Sequence, residues 1–383
     1  MKIAIYAGQL DVGGAEGQIV LLARGLRRRG HDLLLITEEG RTAAVTADLL
    51  ANLVLVPHRP RRARLRALQE VLAGTCPDVL HCQLTAANFW GTMAGRRAAV
   101  PVIIISFLST DPWKKWYHRA ADRCVARRAT AVLANSQRVA ERYGRLLGRG
   151  GEKIRVIYNG VDTSRFDRTR FAAARDAIQK DELHVPAAAT IIINVANLHP
   201  VKNHLLLLRA LAQVHAGLAA ADRPYLVLAG DGPQKEKIIG AAGQAGLLPY
   251  LRLLGRASDV EKYLAAADVF ALSSDAEGFS NALLEAMSSS LACVATDVGG
   301  NAEALAEGAG IIIPPRDAEA LAAALAGLLE NKRRRDEFAA AARRRAVERF
   351  ALERMVAETE AWYKALVAGG NQGLGAAAVI NKT

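Results

Sequence analysis

Apolar runs of strand length alternate with helical stretches along most of the chain. In the first half, these runs occupy residues 2–6, 33–36, 53–56, 79–81, 102–106 and 131–134. Nearly continuous apolar strands are typical of a parallel sheet that is buried on both faces. The Ala- and Arg-rich stretches between them have the composition of helices, so this half predicts a parallel sheet wrapped by helices.

The same alternation begins again after a weakly periodic linker at 166–186. Its apolar runs occupy residues 191–195, 225–229, 251–254, 269–272, 293–296 and 310–313. The pattern predicts an α/β protein with two facing Rossmann-like domains, at 1–180 and 181–350, and a ligand cleft at the carboxyl ends of the strands. A last helix within 351–383 is expected to return to the first domain, and the tail after Gly369 is expected to be mobile.

Positive charge is concentrated in the first half of the chain. The net charge is +12; residues 1–182 hold 30 Lys and Arg against 17 Asp and Glu, whereas the remainder hold 20 against 21. This asymmetry indicates an anionic partner of the first domain. Because no nucleic-acid recognition motif is present, we expect no nucleic acid as partner, and an anionic membrane surface fits better.

Two basic segments, 59–68 and 112–123, suggest where such a surface would bind. The second places two Trp and one Tyr beside four cationic residues, which suits a lipid headgroup interface. The alternative is a solvated helix that packs its aromatic side chains into the core. The amino-terminal segment lacks a signal-peptide layout and a run long enough to span a bilayer, so we expect a cytoplasmic protein, peripheral on the inner face of the plasma membrane.

The segment 275–285 carries the strongest chemical signal. Glu277 and Glu285 lie eight residues apart around a glycine-containing loop that leads into an amphipathic helix. In one continuous helix they would be about 12 Å apart, so we expect Glu277 on the loop and Glu285 in the opening turns. Backbone amides at the helix start would suit a diphosphate or sugar hydroxyls, as would those at Gly13 and Gly14 after the first strand. For the segment 275–285 the alternative is a solvated surface loop. For Gly13 and Gly14 the alternative is an ordinary turn that needs the conformational freedom of glycine.

The residues E-G-F-S-N-A-L-L-E-A-M at 277–287 resemble the signature of retaining glycosyltransferase family 4, whose members have the GT-B fold. Further similarities occur in the family's order along the chain. They are G-G-A-E at 13–16, D-V-L-H at 78–81, N-S at 135–136, Y-N-G-V-D at 158–162, residues 198–202, and G-D-G-P at 230–233.

The resemblance implies a role for each matched position. Glu277 would contact the donor sugar, Glu285 the nucleotide ribose, and Lys202 the diphosphate, with Glu277 and Lys202 as the catalytic pair. No cofactor and no essential metal are implied. The remaining implied donor contacts are Gly13, Gly14, Asn197, Gly232, Arg256, Gly278, Phe279, Ser280 and Asn281. Separately, His81, which ends a predicted strand facing the cleft, is a candidate acceptor contact, as is Asp111.

Two positions depart from the family pattern. Asn197 stands where members usually have an arginine, five residues before Lys202, so one diphosphate-binding charge is missing. Phe107 stands where many members have a histidine. Arg155 and Arg256 are candidates to replace the missing charge.

These features predict a hexosyltransferase that moves a sugar, with retained configuration, from a UDP- or GDP-sugar to a hydroxyl of a lipid-linked or polysaccharide acceptor in cell-envelope glycan synthesis. A glycoside hydrolase is disfavoured because no second acid is placed to oppose Glu277. A sugar-nucleotide epimerase and a non-catalytic sugar-nucleotide-binding subunit remain the alternatives.

Overall fold

The computed structural model of the protein describes residues 1–11, 13–111, 113–187 and 189–370. The chain divides into unit 1, which comprises Met1–Gly160 and the chain from Leu352 onward, and unit 2, Val161–Ala351. Unit 2 therefore begins before the expected boundary at residue 180. The reason is that Arg168 and Gln179 donate hydrogen bonds to main-chain carbonyls of residues 265–267. The segment 371–383, which holds most of the tail expected to be mobile, lies outside the described residues.

Unit 1 is built on a parallel sheet of seven strands in the order β3-β2-β1-β4-β5-β6-β7. Its strands are β1 (Lys2–Ala7), β2 (Asp32–Glu38), β3 (Leu53–Val56), β4 (Val79–Gln83), β5 (Val102–Phe107), β6 (Ala131–Ala134) and β7 (Ile154–Val156). The helices that connect them are α1 (Gly14–Arg28), α2 (Arg61–Thr75), α3 (Thr85–Arg97), α4 (Trp116–Arg128) and α5 (Gln137–Leu147). The sequence predicted the first six strands and missed β7, because three residues with a central Arg155 give too short an apolar run.

Alternate residues of β1 enter two separate cores. Ile3 and Ile5 belong to one core, while Ala4 and Tyr6 belong to the other. Since successive strand residues point to opposite faces, this division places a hydrophobic layer on each side of the sheet. The expected sheet buried on both faces is confirmed for unit 1.

Unit 2 repeats this architecture with six parallel strands in the order β10-β9-β8-β11-β12-β13. Its strands are β8 (Ile191–Val195), β9 (Tyr225–Ala229), β10 (Leu251–Gly255), β11 (Val269–Leu272), β12 (Ala292–Thr296) and β13 (Ile311–Ile313). Its helices are α6 (Arg175–Ala177), α7 (His204–Ala216), α8 (Lys235–Gln244), α9 (Val260–Ala266), α10 (Asn281–Ser288), α11 (Asn301–Ala304), α12 (Ala318–Glu330) and α13 (Lys332–Arg349). Two Rossmann-like α/β domains, as predicted, are confirmed.

The last described helix, α14 (Leu352–Gly370), completes unit 1. Trp362 and Tyr363 are buried in the core that contains Ile3 and Ile5. A β-carbon placed on Gly25 of α1 would lie 2.4 Å from a methyl carbon of Val356, so α1 and α14 approach closely at this glycine. No helix in the described part of the chain has both the length and the apolar character needed to cross a membrane.

Candidate functional site

The candidate site of unit 2 lies where the strand order reverses, between β8 and β11. The segment after β8 carries Lys202, and the segment after β11 carries Glu277. In open parallel sheets, ligands bind at the carboxyl ends of the strands beside such a reversal. The topology therefore places both residues where a ligand site is expected.

The loop and the helix that carry the two glutamates are as predicted. Helix α10 begins at Asn281, and the hydroxyl oxygen of Ser280 caps it by accepting a hydrogen bond from the Leu283 amide at 3.3 Å. Glu277 therefore precedes the helix, and Glu285 lies in its second turn. The expectation that one glutamate is on the loop and the other on the helix is confirmed.

Lys202 and Glu277 form an ion pair. The Lys202 Nζ lies 2.6 Å from Glu277 Oε1, and the Ser274 hydroxyl donates to the same oxygen at 2.6 Å. The side chains are 20% and 10% exposed, so water screens their attraction less than it would on an open surface. The family resemblance implied separate partners for these residues, the diphosphate for Lys202 and the sugar for Glu277, and it did not predict this contact. A bound ligand that takes up either role must compete with the ion pair.

The turn that carries Lys202 is fastened to the Glu277 loop by hydrogen bonds. The Asn203 side chain donates to Asp275 Oδ1 at 2.9 Å, and the Asp275 amide donates to the Val201 carbonyl at 2.7 Å. Asn203 has φ 48° and caps α7 through its own Oδ1. Asn is among the few residues that readily adopt this left-handed conformation. Arg316 donates to Asp275 Oδ2 at 3.1 Å, so Asp275 joins three segments of the site.

The loop after β12 packs against the backbone of the Glu277 loop. Gly299 has φ 54°, and a β-carbon there would lie 2.6 Å from the carbonyl oxygens of Glu277 and Gly278. The Gly300 amide donates to the Gly278 carbonyl at 2.7 Å. A residue with a side chain at position 299 would prevent this close backbone approach, so the glycine is required there.

Glu285 has a strongly perturbed acidity. Burial raises the pKa of its carboxyl group to about 7, while Arg165 acts in the opposite direction. Burial raises a carboxyl pKa because the charged form loses hydration. Arg165 itself pairs with Glu261 at 2.9 Å, so its charge is shared between two carboxylates. Glu285 therefore titrates near neutral pH.

Other predicted donor contacts lie in unit 2 as follows. Asn197 is exposed after β8, and Arg256 is exposed after β10. At Gly232 a β-carbon would lie 2.9 Å from three backbone atoms of Leu198, so this glycine is required for two loops to approach. The Phe279 ring is buried against Phe350, with ring centroids 5.3 Å apart, so only its backbone can reach a ligand.

Arg155, a candidate to replace the missing charge at Asn197, lies on β7 of unit 1 with its guanidinium 6.0 Å from the centre of the Trp362 ring. Sequence analysis overlooked Arg316, whose side chain is 74% exposed and bound to Asp275. The available signal was an arginine three residues beyond the apolar run at 310–313, at the carboxyl end of a strand.

In unit 1, Gly13 and Gly14 form the start of α1. Gly13 is the N-cap residue, and its carbonyl accepts a hydrogen bond from the Gly17 amide at 2.9 Å. The Glu16 carboxylate lies in the first turn and accepts a hydrogen bond from Gln9 at 3.1 Å. The expected strand, loop and helix are therefore present, and a carboxylate already lies at this helix start.

The structure corrects the interpretation of His81 as the end of a strand. His81 lies within β4, is fully buried, and has its two ring nitrogens hydrogen-bonded to Tyr363 and Ser106. Burial lowers the pKa of His81 to about 3, so the ring is neutral at physiological pH. A ring enclosed in this way has no surface to offer an acceptor.

Asp111 belongs to a buried polar cluster. It accepts a hydrogen bond from the Tyr143 hydroxyl at 2.8 Å and lies 3.1 Å from the Lys114 Nζ, which also contacts Asp122 at 3.0 Å. The Phe107 ring stacks on Tyr143 with centroids 3.8 Å apart. Lys114 is only 4% exposed, so it is not one of the cations that the second basic segment presents to solvent.

The aromatic residues of that segment are on the surface. Trp113, Trp116 and Tyr117 are 57%, 78% and 47% exposed. The alternative in which this segment packs its aromatic side chains into the core is therefore wrong. The sequence could not separate Lys114 from Lys115, because the two are adjacent and differ only in the side of the backbone they occupy.

Two family profiles match the chain, one in each half. The profile of glycosyl transferases group 1 matches residues 176–345, and that of Glycosyltransferase Family 4 matches residues 12–165. The two matches cover most of both units.

Individual relatives agree with these matches. A GDP-mannose-dependent alpha-mannosyltransferase of Mycobacterium tuberculosis is 26% identical over 90% of this chain and 91% of that protein. An N-acetylgalactosamine-N,N'-diacetylbacillosaminyl-diphospho-undecaprenol 4-alpha-N-acetylgalactosaminyltransferase of Campylobacter jejuni is 31% identical over 44% of this chain and 42% of its own length. The structure of Anabaena Alr3699/HepE with UDP and glucose superposes with a TM-score of 0.84 at 22% identity, over 95% of this chain and all of that one.

Proposed function

We propose that this chain, which belongs to glycosyltransferase family 4 and is a hexosyltransferase, transfers a sugar from a nucleoside diphosphate sugar. The acceptor in this proposal is a hydroxyl of a lipid-linked or polysaccharide molecule, and the anomeric configuration of the sugar is retained. Cell-envelope glycan synthesis is the process proposed. The observation that carries the proposal is the Lys202–Glu277 ion pair at the strand-order reversal of unit 2.

The chemistry follows from the charge that develops during transfer. Departure of a nucleoside diphosphate builds negative charge, and in this proposal the Lys202 ammonium stabilises that charge without a bound metal. Glu277 binds the donor sugar near the reacting carbon, and Glu285 binds the ribose. The acceptor hydroxyl attacks the face from which the diphosphate leaves, and the leaving diphosphate takes its proton, so the configuration is retained.

The names of the relatives support the donor and acceptor classes. The mycobacterial protein is named for GDP-mannose, and the structure of the Anabaena protein contains UDP and glucose. The Campylobacter protein is named for a diphospho-undecaprenol acceptor. These names motivate UDP- and GDP-sugars as donors and a lipid diphosphate as acceptor.

The direct test is nucleotide release from a panel of UDP-, GDP- and ADP-sugars with and without lipid extract. We expect acceptor-dependent release and a product with the donor's anomeric configuration. Glu277→Gln should lower kcat about 10²- to 10³-fold, the range found for losing a preorganised transition-state contact. Glu319→Gln, an exposed carboxylate change on α12, is the control and should leave kcat within about twofold.

The opposing outcomes are distinct. Donor binding without any turnover would mean a binding subunit, and interconversion of the donor without an acceptor would mean an epimerase. An inverted product would contradict the retaining mechanism while leaving transfer itself intact. Activity that survives a chelator such as EDTA is expected, and a loss that is restored by added Mg²⁺ would contradict the metal-free mechanism.

Peripheral membrane binding through α4 and the segment before it is part of the proposal. Exposed Trp116 and Tyr117 lie beside exposed Lys115 and Arg123, which together suit an anionic headgroup region. Lys115→Gln/Arg123→Gln should weaken binding to vesicles that contain anionic lipid, and salt should weaken the wild-type interaction. The control Lys332→Gln/Arg333→Gln removes the same charge from exposed positions of unit 2. Equal losses in both double variants, or no binding by the wild type, would contradict this part.

A further inference from the structure

A cavity of about 750 Å³ lies within unit 1, and none of the donor contacts discussed above is among the residues that line it. It is formed by the start of α2 with the loop before it, by α3, and by α4 with the segment before it. Its lining combines arginine side chains, Arg59, Arg61 and Arg64, with the aromatic side chains of Phe89, Trp90 and Trp113. We call it the arginine cavity.

The rim of the arginine cavity carries uncompensated positive charge. Arg59 and Arg61 are exposed, and neither side chain forms an ion pair with any residue that the structure describes. Arginine presents a planar set of donors that matches the oxygens of a phosphate group. Two such side chains at the mouth would attract an anionic group and could bind it directly.

The arginine cavity is also lined by a buried arginine, Arg64, whose position is maintained by an ion pair. Arg64 is 5% exposed, pairs with Glu38, and has its guanidinium carbon 4.9 Å from the centre of the Trp90 ring. Its Nε has no hydrogen-bond partner among the described residues. Buried polar groups are nearly always satisfied, so a buried guanidinium with unused donor capacity is unusual.

The carboxylates near the cavity have cationic partners of their own, although Asp122 shares Lys114 with Asp111. Asp122 is the one carboxylate among its lining residues in the described chain, and it is paired with Lys114 at 3.0 Å. Glu38 is buried behind Arg64 and is also contacted by His58. Neither carboxylate forms an ion pair with Arg59 or Arg61.

We propose that the arginine cavity binds the phosphate or diphosphate group of the acceptor, with the apolar part of the acceptor against Phe89, Trp90 and Trp113. This inference rests on the proposed transferase function and adds to it the place in unit 1 where the acceptor's phosphate group binds. The phosphate could belong to a lipid diphosphate or to a soluble sugar phosphate. Both present the same anionic group to Arg59, Arg61 and Arg64.

The first experiment uses inorganic pyrophosphate as probe and measures its Kd by calorimetry. Arg59→Gln/Arg61→Gln changes two exposed side chains, so folding should be preserved. We expect this variant to weaken pyrophosphate binding at least tenfold. The control Arg62→Gln/Arg66→Gln removes the same charge from α2 outside the cavity and should change Kd less than twofold. Similar losses in both double variants would overturn the proposal, because they would reflect the overall field of the helix.

A further set of variants distinguishes pyrophosphate binding in the arginine cavity from binding at the donor site, which can also take pyrophosphate. Lys202→Gln should leave the cavity's binding in place and remove only a contribution from unit 2. Binding that disappears in Lys202→Gln and is unchanged in Arg59→Gln/Arg61→Gln would overturn the proposal. Arg64→Lys, which keeps a charge opposite Glu38, should weaken pyrophosphate binding by losing the planar guanidinium.

Turnover then identifies the source of the phosphate. A polyprenyl diphosphate-linked N-acetylhexosamine in micelles and a soluble hexose phosphate are compared as acceptors. Arg59→Gln/Arg61→Gln should raise KM for the true acceptor about tenfold or more while kcat and the Kd for the nucleotide sugar stay unchanged. An unchanged KM for every active acceptor would refute the cavity's role but not the transferase function. Absence of nucleotide-sugar binding in the wild type would instead refute the function itself.

Discussion

At the scale of single residues, burial decides which of the candidate groups can react. Lys202 and Glu277 are partly exposed and paired, so a ligand can reach and separate them. His81 carries a chemically more versatile ring, yet it is enclosed by Tyr363 and Ser106. Sequence analysis offered all three residues as candidates, and only their surroundings in the folded protein distinguish them.

Glu285 should make donor binding depend on pH near neutrality. Its pKa of about 7 means that the carboxylate, the form that accepts hydrogen bonds from ribose hydroxyls, dominates above pH 7. We expect KM for the donor to rise about tenfold as the pH falls from 8 to 6, since one pKa unit corresponds to a tenfold change in protonation. Glu285→Gln should have a higher KM that hardly changes over this range. A parallel pH profile in the variant would show that another group titrates.

The raised pKa of Glu285 also determines whether the free energy of unfolding rises or falls with pH. The folded-state pKa of Glu285 is above its value of about 4.3 in an unfolded chain, so the stabilising contribution is present below that pH and is lost as the pH rises through 7. Denaturant unfolding should therefore show that Glu285→Gln gains stability relative to the wild type between pH 5 and pH 8. A difference that is constant with pH would contradict the raised pKa.

At the scale of elements, the short turn at Pro200–Lys202 depends on a neighbouring loop for its position. Asp275 accepts hydrogen bonds from Asn203 and Arg316, and its amide donates to Val201. We expect Asp275→Ala to lower kcat about tenfold with a smaller change in KM, because Lys202 would be less well placed when charge develops. Asp275 is a positioning residue, so Asp275→Asn should restore part of the loss.

Arg316→Ala is the matched control for that change. It removes one exposed partner of Asp275 and leaves the Asn203 contact in place, so kcat should fall less than threefold. If Arg316→Ala were as damaging as Asp275→Ala, the arginine would act on the ligand directly. The role of Asp275 would then be to hold Arg316.

The elements were predictable where the apolar pattern was long, and the contacts between loops were not. Apolar runs located twelve of the thirteen strands, and the spacing of Glu277 and Glu285 placed one on a loop and one in α10. The Lys202–Glu277 contact joins residues 75 positions apart, and no periodicity reports such a distance. Likewise, β7 and the inward direction of Lys114 depend on tertiary neighbours.

At the scale of the whole molecule, one glycine tests how α14 completes unit 1. Gly25→Ala should lower the free energy of unfolding by about 1–3 kcal/mol, since the added β-carbon would overlap Val356. Gly17→Ala lies on the same helix with no atom within 4 Å of the added carbon. It should instead stabilise the protein by about 0.5–1 kcal/mol. Equal effects in the two variants, measured by urea unfolding, would show that α14 does not pack there.

The return of the chain to unit 1 has a consequence for synthesis on the ribosome. Unit 2 emerges as one uninterrupted stretch, Val161–Ala351, whereas the core around Ile3 and Ile5 also needs Trp362 and Tyr363. The core of unit 1 therefore cannot be completed until all of unit 2 has been translated. Until then, part of the apolar surface of the nascent amino-terminal segment stays uncovered. The domain that begins first is completed last, and a ribosome that stops before Leu352 releases an unfinished core exposed to aggregation or chaperones.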